Sequence, residues 1–143
     1  MQTVSAILAA KSSQATYTIS PDATVMEAIT LMADKGIGAL IVTKDDKLVG
    51  ILSERDYARK VALMERSSYS TSVSEIMTAN VITVTPKHKT EYCMQLMTDK
   101  HLRHLPVLDG DKLLGLISIG DLVKNVISEQ QKLIEQLQQY ISG

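Results

Sequence analysis

Two serine–aspartate pairs with the same spacing are the residues of this sequence best suited to hold a ligand. Ser53 precedes Asp56 by three positions, and Ser118 precedes Asp121 by three. Each serine follows an apolar run and opens a predicted helix, where unpaired backbone N–H groups and the helix dipole favour a phosphate. The serine hydroxyl can add a hydrogen bond to that phosphate, and the carboxylate can accept from two vicinal hydroxyls such as a ribose diol. The pattern favours nucleotide binding.

The same spacing also has a purely structural interpretation. A serine followed three residues later by a carboxylate is a capping box, and Ser72 with Glu75 has the same form elsewhere in the chain. One such pair alone would favour capping. Its recurrence at two equivalent strand-to-helix junctions favours a ligand site, and both interpretations stay open at this point.

A gapless internal repeat accounts for the recurrence. When the sequence is shifted by 65 positions, residues 21–57 match residues 86–122 at 13 of 37 positions. Many of the remaining pairs are apolar in both copies, such as Ile51 with Leu116. Self-similarity of this kind indicates one structural unit used twice.

Each copy has the same predicted order of elements. A β-branched run before a proline turn predicts a short strand, and an amphipathic helix follows, because its apolar residues recur three and four positions apart. Two apolar runs around a polar turn predict a hairpin, and a second helix begins at the serine. The predicted strands are residues 17–19, 39–42 and 48–52 in the first copy and 81–84, 105–108 and 113–117 in the second. The stripes of the first helices are Val25, Ala28, Ile29 and Met32, and Thr90, Cys93, Met94 and Met97.

This order predicts an α/β fold of the α+β type, built from two β-α-β-β-α units around a pseudo-two-fold axis. A helical segment leads each unit, near residues 4–10 and 73–77. The first unit is predicted to cover residues 1–66 and the second residues 67–143. One unit is too small to bury a large core alone, so the two should pack together and leave clefts along the seam, where small-molecule sites tend to form.

The last helix is predicted to continue to about Tyr140, well beyond the end of the repeat. Its apolar stripe extends through Leu133, Ile134, Leu137 and Ile141. Such a stripe must be buried, either against the module or against a second chain. A homodimer is the favoured prediction, because closed two-fold assemblies are the commonest.

Composition argues against several other classes of protein. The net charge of −1, together with five Tyr and no Trp or Phe, does not suit a nucleic-acid surface. The chain has one cysteine, no apolar run near 20 residues, and no basic region before its first apolar residues, so we expect a cytoplasmic protein without a membrane segment. Phosphate-loop and dinucleotide motifs are absent, and no metal or catalytic role is expected for His88, His101, His104 or Cys93.

Five short stretches, in the order in which they occur, identify a family. They are residues 20–25 (SPDATV), 37–40 (IGAL), 53–57 (SERDY), 75–78 (EIMT) and 103–107 (RHLPV). With the duplicated unit that each time ends in glycine, two apolar residues, serine and aspartate, the chain from about residue 4 to residue 126 resembles a tandem pair of cystathionine β-synthase (CBS) domains, also called a Bateman module.

The resemblance implies adenosyl ligands: AMP first, with ADP, ATP, NAD or S-adenosylmethionine as alternatives, and no required cofactor. It implies that Asp56 and Asp121 hold ribose hydroxyls and that Ser53 and Ser118 contact phosphate. It also implies that the adenine slots are lined by Thr18 with the backbone of Ala39, Leu40 and Ile41, and by Thr83 with the backbone of His104, Leu105 and Pro106. Modules of this kind are usually not enzymes, since binding instead changes the geometry of an attached or partner protein.

Cationic side chains are expected to set how many phosphates each site accepts. The candidates are Arg55, Arg59, Lys11, Arg103 and His104. A solvated helix face is the favoured interpretation for Arg59 and Lys11. The second copy has Ile119 and Gly120 where the first has Glu54 and Arg55, so the two sites are expected to differ in phosphate preference.

Two function classes follow from the sequence. The first is a nucleotide-binding regulatory module that acts on an unknown protein effector. The second is a structural or interaction module whose clefts bind no nucleotide. Intact serine and aspartate in both copies favour the first. An enzyme or a DNA-binding regulator is disfavoured by the charge and the missing motifs.

Overall fold

A computed structural model describes residues 2–11 and 15–142 of the protein. The helices are α1 (Val4–Ala10), α2 (Val25–Lys35), α3 (Glu54–Tyr57), α4 (Val73–Ile76), α5 (Thr90–Lys100) and α6 (Ile119–Ser142). The strands are β1 (Thr18–Ile19), β2 (Ala39–Lys44), β3 (Lys47–Ser53), β4 (His104–Asp109) and β5 (Lys112–Ser118). The predicted fold class and the repeated order of elements are confirmed.

The two hairpins are the most alike parts of the two copies. β2 pairs with β3 and β4 with β5, both antiparallel, and each ladder has one bulge, after Val42 and after Val107. The first turn is tight, since Asp45 and Asp46 have φ of 53° and 63°, and Asp is among the few non-glycine residues that adopt this left-handed conformation. Both bulges fall at the same repeat position, so the two hairpins place Ser53 and Ser118 alike.

The leading strand differs between the copies, and a proline explains why. β1 pairs in parallel with β2 through Thr18 and Ile41. The predicted strand at 81–84 is reduced to a single parallel bridge between Val84 and Val107. Pro106 takes the place of Ile41, and it has no backbone N–H with which to extend a parallel ladder toward residue 82. The prediction of a full strand at 81–84 was therefore wrong.

The helix after the first hairpin also departs from the expectation of a regular helix. α3 is only one turn long and continues as a π-helix, Ala58–Ala62. Wider turns are seen where Leu63 N–H donates to Ala58 O and Arg66 N–H to Val61 O. This π-helical end leads into the connection toward α4, whereas the equivalent helix of the second copy continues without a break as α6.

The leading helices are exchanged between the repeats. Val4 and Ile7 of α1 are buried in the core of the second copy, beside Val84, Cys93 and Leu105. In α4, the side chains of Val73 and Ile76 are buried in the core of the first copy. Backbone bonds hold this arrangement, with Val4 N–H donating to His88 O and Val73 N–H to Ala23 O. Each hydrophobic core is thus completed by a helix that precedes the other repeat.

Two glycines of the repeat make room for this exchange. A Cβ at Gly50 would lie 2.5 Å from Met77 Sδ and 3.1 Å from Thr78 O, and one at Gly115 would lie 3.0 Å from Leu8 Cδ2. Met77 follows α4, and Leu8 lies in α1. Both glycines therefore serve the close approach of the exchanged segments. The predicted boundary between the two units, at residues 66 and 67, stays a prediction. The packing does not follow this boundary, since α1 lies in the core of the second copy and α4 in the core of the first.

We expect Gly50→Ala to lower the free energy of unfolding by about 1–3 kcal/mol, because the added methyl overlaps Met77 and the backbone of Thr78. Gly120→Ala is the matched control. A Cβ there meets only Ser118 Oγ at an ordinary 3.5 Å, and alanine favours a helix by up to about 1 kcal/mol. Urea unfolding followed by circular dichroism measures both. Equal stabilities for Gly50→Ala and the parent would contradict the packing described.

Candidate functional site

Two clefts open along the seam between the repeats, and each contains one of the aspartates. The Asp121 cleft has a volume of about 460 Å³ and the Asp56 cleft one of about 330 Å³. Both values lie in the range of small-molecule sites, which is about 300–1,000 Å³. The predicted clefts at the seam are therefore present, one for each copy of the motif.

Each cleft combines the helix start of one repeat with residues of the other repeat that lie just before its strands. In the Asp121 cleft, Ser118 and Asp121 lie across from residues 15–17 and 35–39 of the first repeat. In the Asp56 cleft, Ser53 and Asp56 lie across from residues 80–82 and 101–104 of the second repeat. A ligand in either cleft would contact both repeats at once.

The serine–aspartate pairs are capping boxes in the structure. Asp56 N–H donates to Ser53 Oγ at 3.2 Å, and Asp56 Oδ2 accepts from Ser53 N at 2.9 Å and from its hydroxyl at 3.0 Å. Asp121 N–H donates to Ser118 Oγ at 3.1 Å, and Asp121 Oδ2 accepts from Ser118 N at 2.8 Å. The structural interpretation of the motif is thus confirmed in both copies.

Capping leaves half of each carboxylate available. Asp121 Oδ1 accepts no hydrogen bond from the part of the chain that the structure describes, and Asp56 Oδ1 has only Lys60 Nζ at 3.6 Å. The two side chains are 18% exposed, enough for a ligand to reach them. The cap fixes the orientation of the carboxylate through Oδ2, and Oδ1 can accept from a ligand hydroxyl.

Lys11 contacts the Asp121 carboxylate directly. Its Nζ lies 3.1 Å from Asp121 Oδ2 and 2.7 Å from Leu116 O. Burial alone would raise the pKa of Asp121, but the N–H of Ser118 and the ammonium of Lys11 outweigh it and hold this pKa below its ordinary value. Lys11 therefore reaches the cleft, where in this structure it neutralises the carboxylate.

The Asp56 cleft is richer in guanidinium groups. Arg55, Arg59 and Arg103 line it, and none of the three forms an ion pair with the described carboxylates. Arg59 lies in the π-helical segment and still lines the cleft, although its sequence position suited a solvated face. Each of the three planar guanidinium groups can donate two parallel hydrogen bonds to the oxygens of a phosphate.

His104 and Gly38 line both clefts and form the wall between them. A Cβ at Gly38 would lie 3.7 Å from the imidazole of His104, so the two residues are close neighbours. Burial lowers the pKa of His104, an effect to which Lys11 and Arg103 add and which Asp121 opposes. The imidazole therefore favours its neutral form.

The other predicted site residues are divided between the clefts and the surrounding core. Ala39 lines the Asp121 cleft. Neither cleft has described lining atoms from the remaining predicted adenine-slot residues, which are Thr18, Leu40, Ile41, Thr83, Leu105 and Pro106. Of these, the residues of β2 and β4 are buried, so they support the cleft walls from behind.

Several lining residues were not singled out from the sequence. Tyr17, Thr16 and Gly36 contribute to the Asp121 cleft, and Ile82 and Asn80 to the Asp56 cleft. In each copy the residue directly before the predicted threonine lines the cleft, Tyr17 before Thr18 and Ile82 before Thr83. Residues 16–17 and 80–82 lie just before β1 and before the Val84–Val107 bridge, so they line the seam where the chain enters each sheet.

The remaining candidates from the sequence belong to the core or carry no site. Cys93 is fully buried, and burial raises its pKa to about 11, so the thiol stays protonated and packs as an apolar group. Among the described residues, no three His, Cys, Asp or Glu side chains are grouped so as to hold a metal ion. No helix within residues 2–11 and 15–142 has the length and apolar character to cross a membrane.

Comparison with known proteins agrees with the geometry. The family model of the CBS domain matches residues 12–63 and 73–128. A solved protein with CBS domains from Burkholderia ambifaria is 59% identical, with a TM-score of 0.87 over 90% of this chain and 96% of that one. The solved CBS domain pair of protein MJ0100, in complex with 5′-methylthioadenosine and S-adenosyl-L-methionine, shares the fold at 24% identity, with a TM-score of 0.79 over 90% of this chain and 98% of that one.

A curated relative is the mitochondrial CBS domain-containing protein CBSX3 of Arabidopsis thaliana. It is 44% identical over 127 residues, covering 85% of this chain and 62% of the relative. The chain thus spans less than two thirds of that relative's length. The predicted cytoplasmic location and homodimer are not tested by these similarities and stay predictions.

We expect Lys11→Met to raise the pKa of Asp121 toward its ordinary value, because the substitution removes the ammonium at 3.1 Å. A depressed carboxyl pKa stabilises the fold above the unfolded-state pKa, and this contribution is lost as the pH falls through the folded-state pKa. The variant should therefore begin acid unfolding at a higher pH. A carbon-13 NMR titration of the carboxyl groups measures the shift directly. Lys60→Met, which removes the cation near Asp56, is the control; an unchanged Asp121 titration in Lys11→Met would refute the contact.

Proposed function

The chain belongs to the CBS domain family, and we propose that it is a regulatory module that binds adenosyl ligands in its two clefts and acts on a partner protein. The observation that carries the proposal is the composition of the clefts. Each one places an oriented carboxylate of one repeat across from the strand entry of the other. Such a site is built from both repeats and would sense their relative position.

The carboxylates are proposed to bind the ribose. In each cleft the cap uses Oδ2, so Oδ1 can accept from a ligand hydroxyl while the cap of the helix is kept. The opposite walls are proposed to hold the adenine, through Tyr17, Gly38 and Ala39 in one cleft and Ile82 and Leu102 in the other. The adenosyl compounds bound by the MJ0100 domain pair, which has the same fold, support this class of ligand.

The charged side chains are proposed to give the two clefts different preferences for the number of phosphate groups on the ligand. In the Asp56 cleft, Arg55, Arg59 and Arg103 suit an oligophosphate such as ADP or ATP. In the Asp121 cleft, Lys11 already pairs with the carboxylate, which leaves Lys35 as the other lining cation and favours AMP. AMP is the first ligand to test, with ATP, ADP and NAD as alternatives.

The proposed output is mechanical rather than chemical. A ligand that contacts both repeats stabilises the arrangement of the repeats that fits it, and a partner protein that distinguishes the arrangements reads the change. No catalytic residue and no cofactor is assigned. The acting form is proposed to be a homodimer, and the effector is proposed to be a separate protein.

A second candidate is an interaction module without a nucleotide. The observation in its favour is that each serine and aspartate pair forms a complete capping box without any ligand. On this view the pairs exist only to begin α3 and α6, and the clefts carry no ligand.

Calorimetric titration with AMP, ATP, NAD and S-adenosylmethionine separates the two candidates. We expect micromolar binding of at least one compound, at roughly −8 kcal/mol. Asp56→Asn or Asp121→Asn should weaken one cleft about tenfold or more, because asparagine can still cap the helix through its oxygen but lacks the charge that strengthens a bond to a ribose hydroxyl. Glu27→Gln is the matched control, since it changes the capping box of α2 away from both clefts. If none of the four compounds binds to the parent, the interaction module is correct.

The proposed division of phosphate preference has its own test. Arg103→Ala should lower the affinity for ATP about tenfold and leave AMP binding in the Asp121 cleft unchanged, because only the Asp56 cleft includes this guanidinium. Arg66→Ala is the matched control, since Arg66 pairs with Glu75 outside both clefts. Isothermal titration with each nucleotide gives both affinities. An equal loss for ATP and AMP would overturn the division while leaving nucleotide binding itself intact.

A further inference from the structure

The second half of α6 extends away from the body of the protein. Near its start, Leu122 is fully buried and Asn125 donates a hydrogen bond to the side chain of Gln2. From residue 130 to residue 142 every side chain is exposed. The predicted alternative in which the stripe packs back on the module is therefore wrong for these three turns.

The exposed half carries an apolar face with a seven-residue period. Successive positions of this face alternate four and three residues apart, at Val123, Ile127, Gln130, Ile134, Leu137 and Ile141. The apolar side chains among them are between 44% and 83% exposed. Leu133 and Tyr140 widen the face, at 55% and 87% exposed. This spacing is that of a coiled-coil seam.

A projecting helical segment of this length gains little stability beyond its own backbone hydrogen bonds. Isolated helices shorter than about 12–15 residues are marginal, and most helical stability in proteins comes from burying an apolar face. A row of isoleucine and leucine left in water also favours association. The face therefore requires a covering partner.

The side chains around the face indicate what covers it. Isoleucine at Ile127, Ile134 and Ile141 with leucine at Leu137 is the pattern favoured by parallel two-stranded coiled coils. Past Glu129, the positions that border the face are Gln131, Gln136 and Gln138, and the charged Lys132 and Glu135 lie on the far side. Two identical helices can thus meet without like charges facing each other, whereas a partner of opposite charge would find no charge to pair with at these borders.

We propose that α6 is the dimerisation element of this protein, and that a second copy of the chain packs its own residues 123–141 against this face. The clefts lie in the globular body, and the projecting half of the helix lies outside it. The proposal is therefore independent of nucleotide binding and holds for either candidate function.

The test compares the molar mass of full-length proteins by light scattering after size exclusion. The parent is expected to elute as a dimer, and Ile134→Glu with Leu137→Glu is expected to be a monomer, because the charges would be buried in the seam. Ser128→Glu with Gln139→Glu is the matched control. It adds the same charge on the far side of the same helix and is expected to remain a dimer.

Three outcomes would overturn the proposal. They are a monomeric parent over a wide concentration range, a dimer that survives both glutamates in the seam, and loss of the dimer in the control as readily as in the seam variant. Urea unfolding of the core and calorimetric titration with AMP are measured on the same samples. Unchanged core stability in the monomeric variant excludes misfolding as its cause, and the titration keeps the outcome separate from that of the nucleotide proposal.

Discussion

The exchange of leading helices is the constraint on which the other features of this protein depend. The core of the second copy includes Val4 and Ile7, and the core of the first includes Val73 and Ile76. Neither repeat can complete its hydrophobic interior with its own leading segment. The two units must therefore fold against each other, and the seam between them, with its two clefts, is a necessary result of core formation.

The sequence predicted the repeated parts of the fold better than the parts that join them. The hairpins, the first helices and the two motifs follow from local patterns. The gapless match found when the sequence is shifted by 65 positions shows each of them twice. The leading helices match only when the shift is 69 positions, which aligns Val4 with Val73 and Ile7 with Ile76. The gapless comparison at a shift of 65 therefore does not align them. Their exchange involves contacts between distant residues, which no local pattern reports.

The candidate site was predicted in part, for related reasons. The serines, the aspartates, Arg55 and Arg103 were found because they lie in motifs, whereas Arg59 was expected on a solvated helix face and lines the Asp56 cleft. The opposite walls differ from the prediction by one residue, with Tyr17 in place of Thr18 and Ile82 in place of Thr83, because the contacts that orient these segments join residues distant in the sequence. A cap and a ligand site are compatible in one motif, since one carboxylate oxygen makes the cap and the other can accept from a ligand, so the sequence pattern alone does not distinguish them.

The wall formed by Gly38 and His104 has a thermodynamic consequence. Because both clefts share these residues, a ligand that displaces the imidazole in one cleft changes the shape of the other. Any such coupling free energy must be reciprocal, so each ligand alters the affinity of the other by the same factor. The occupancy of each cleft would then depend on the concentration of the ligand in the other cleft as well as on that of its own.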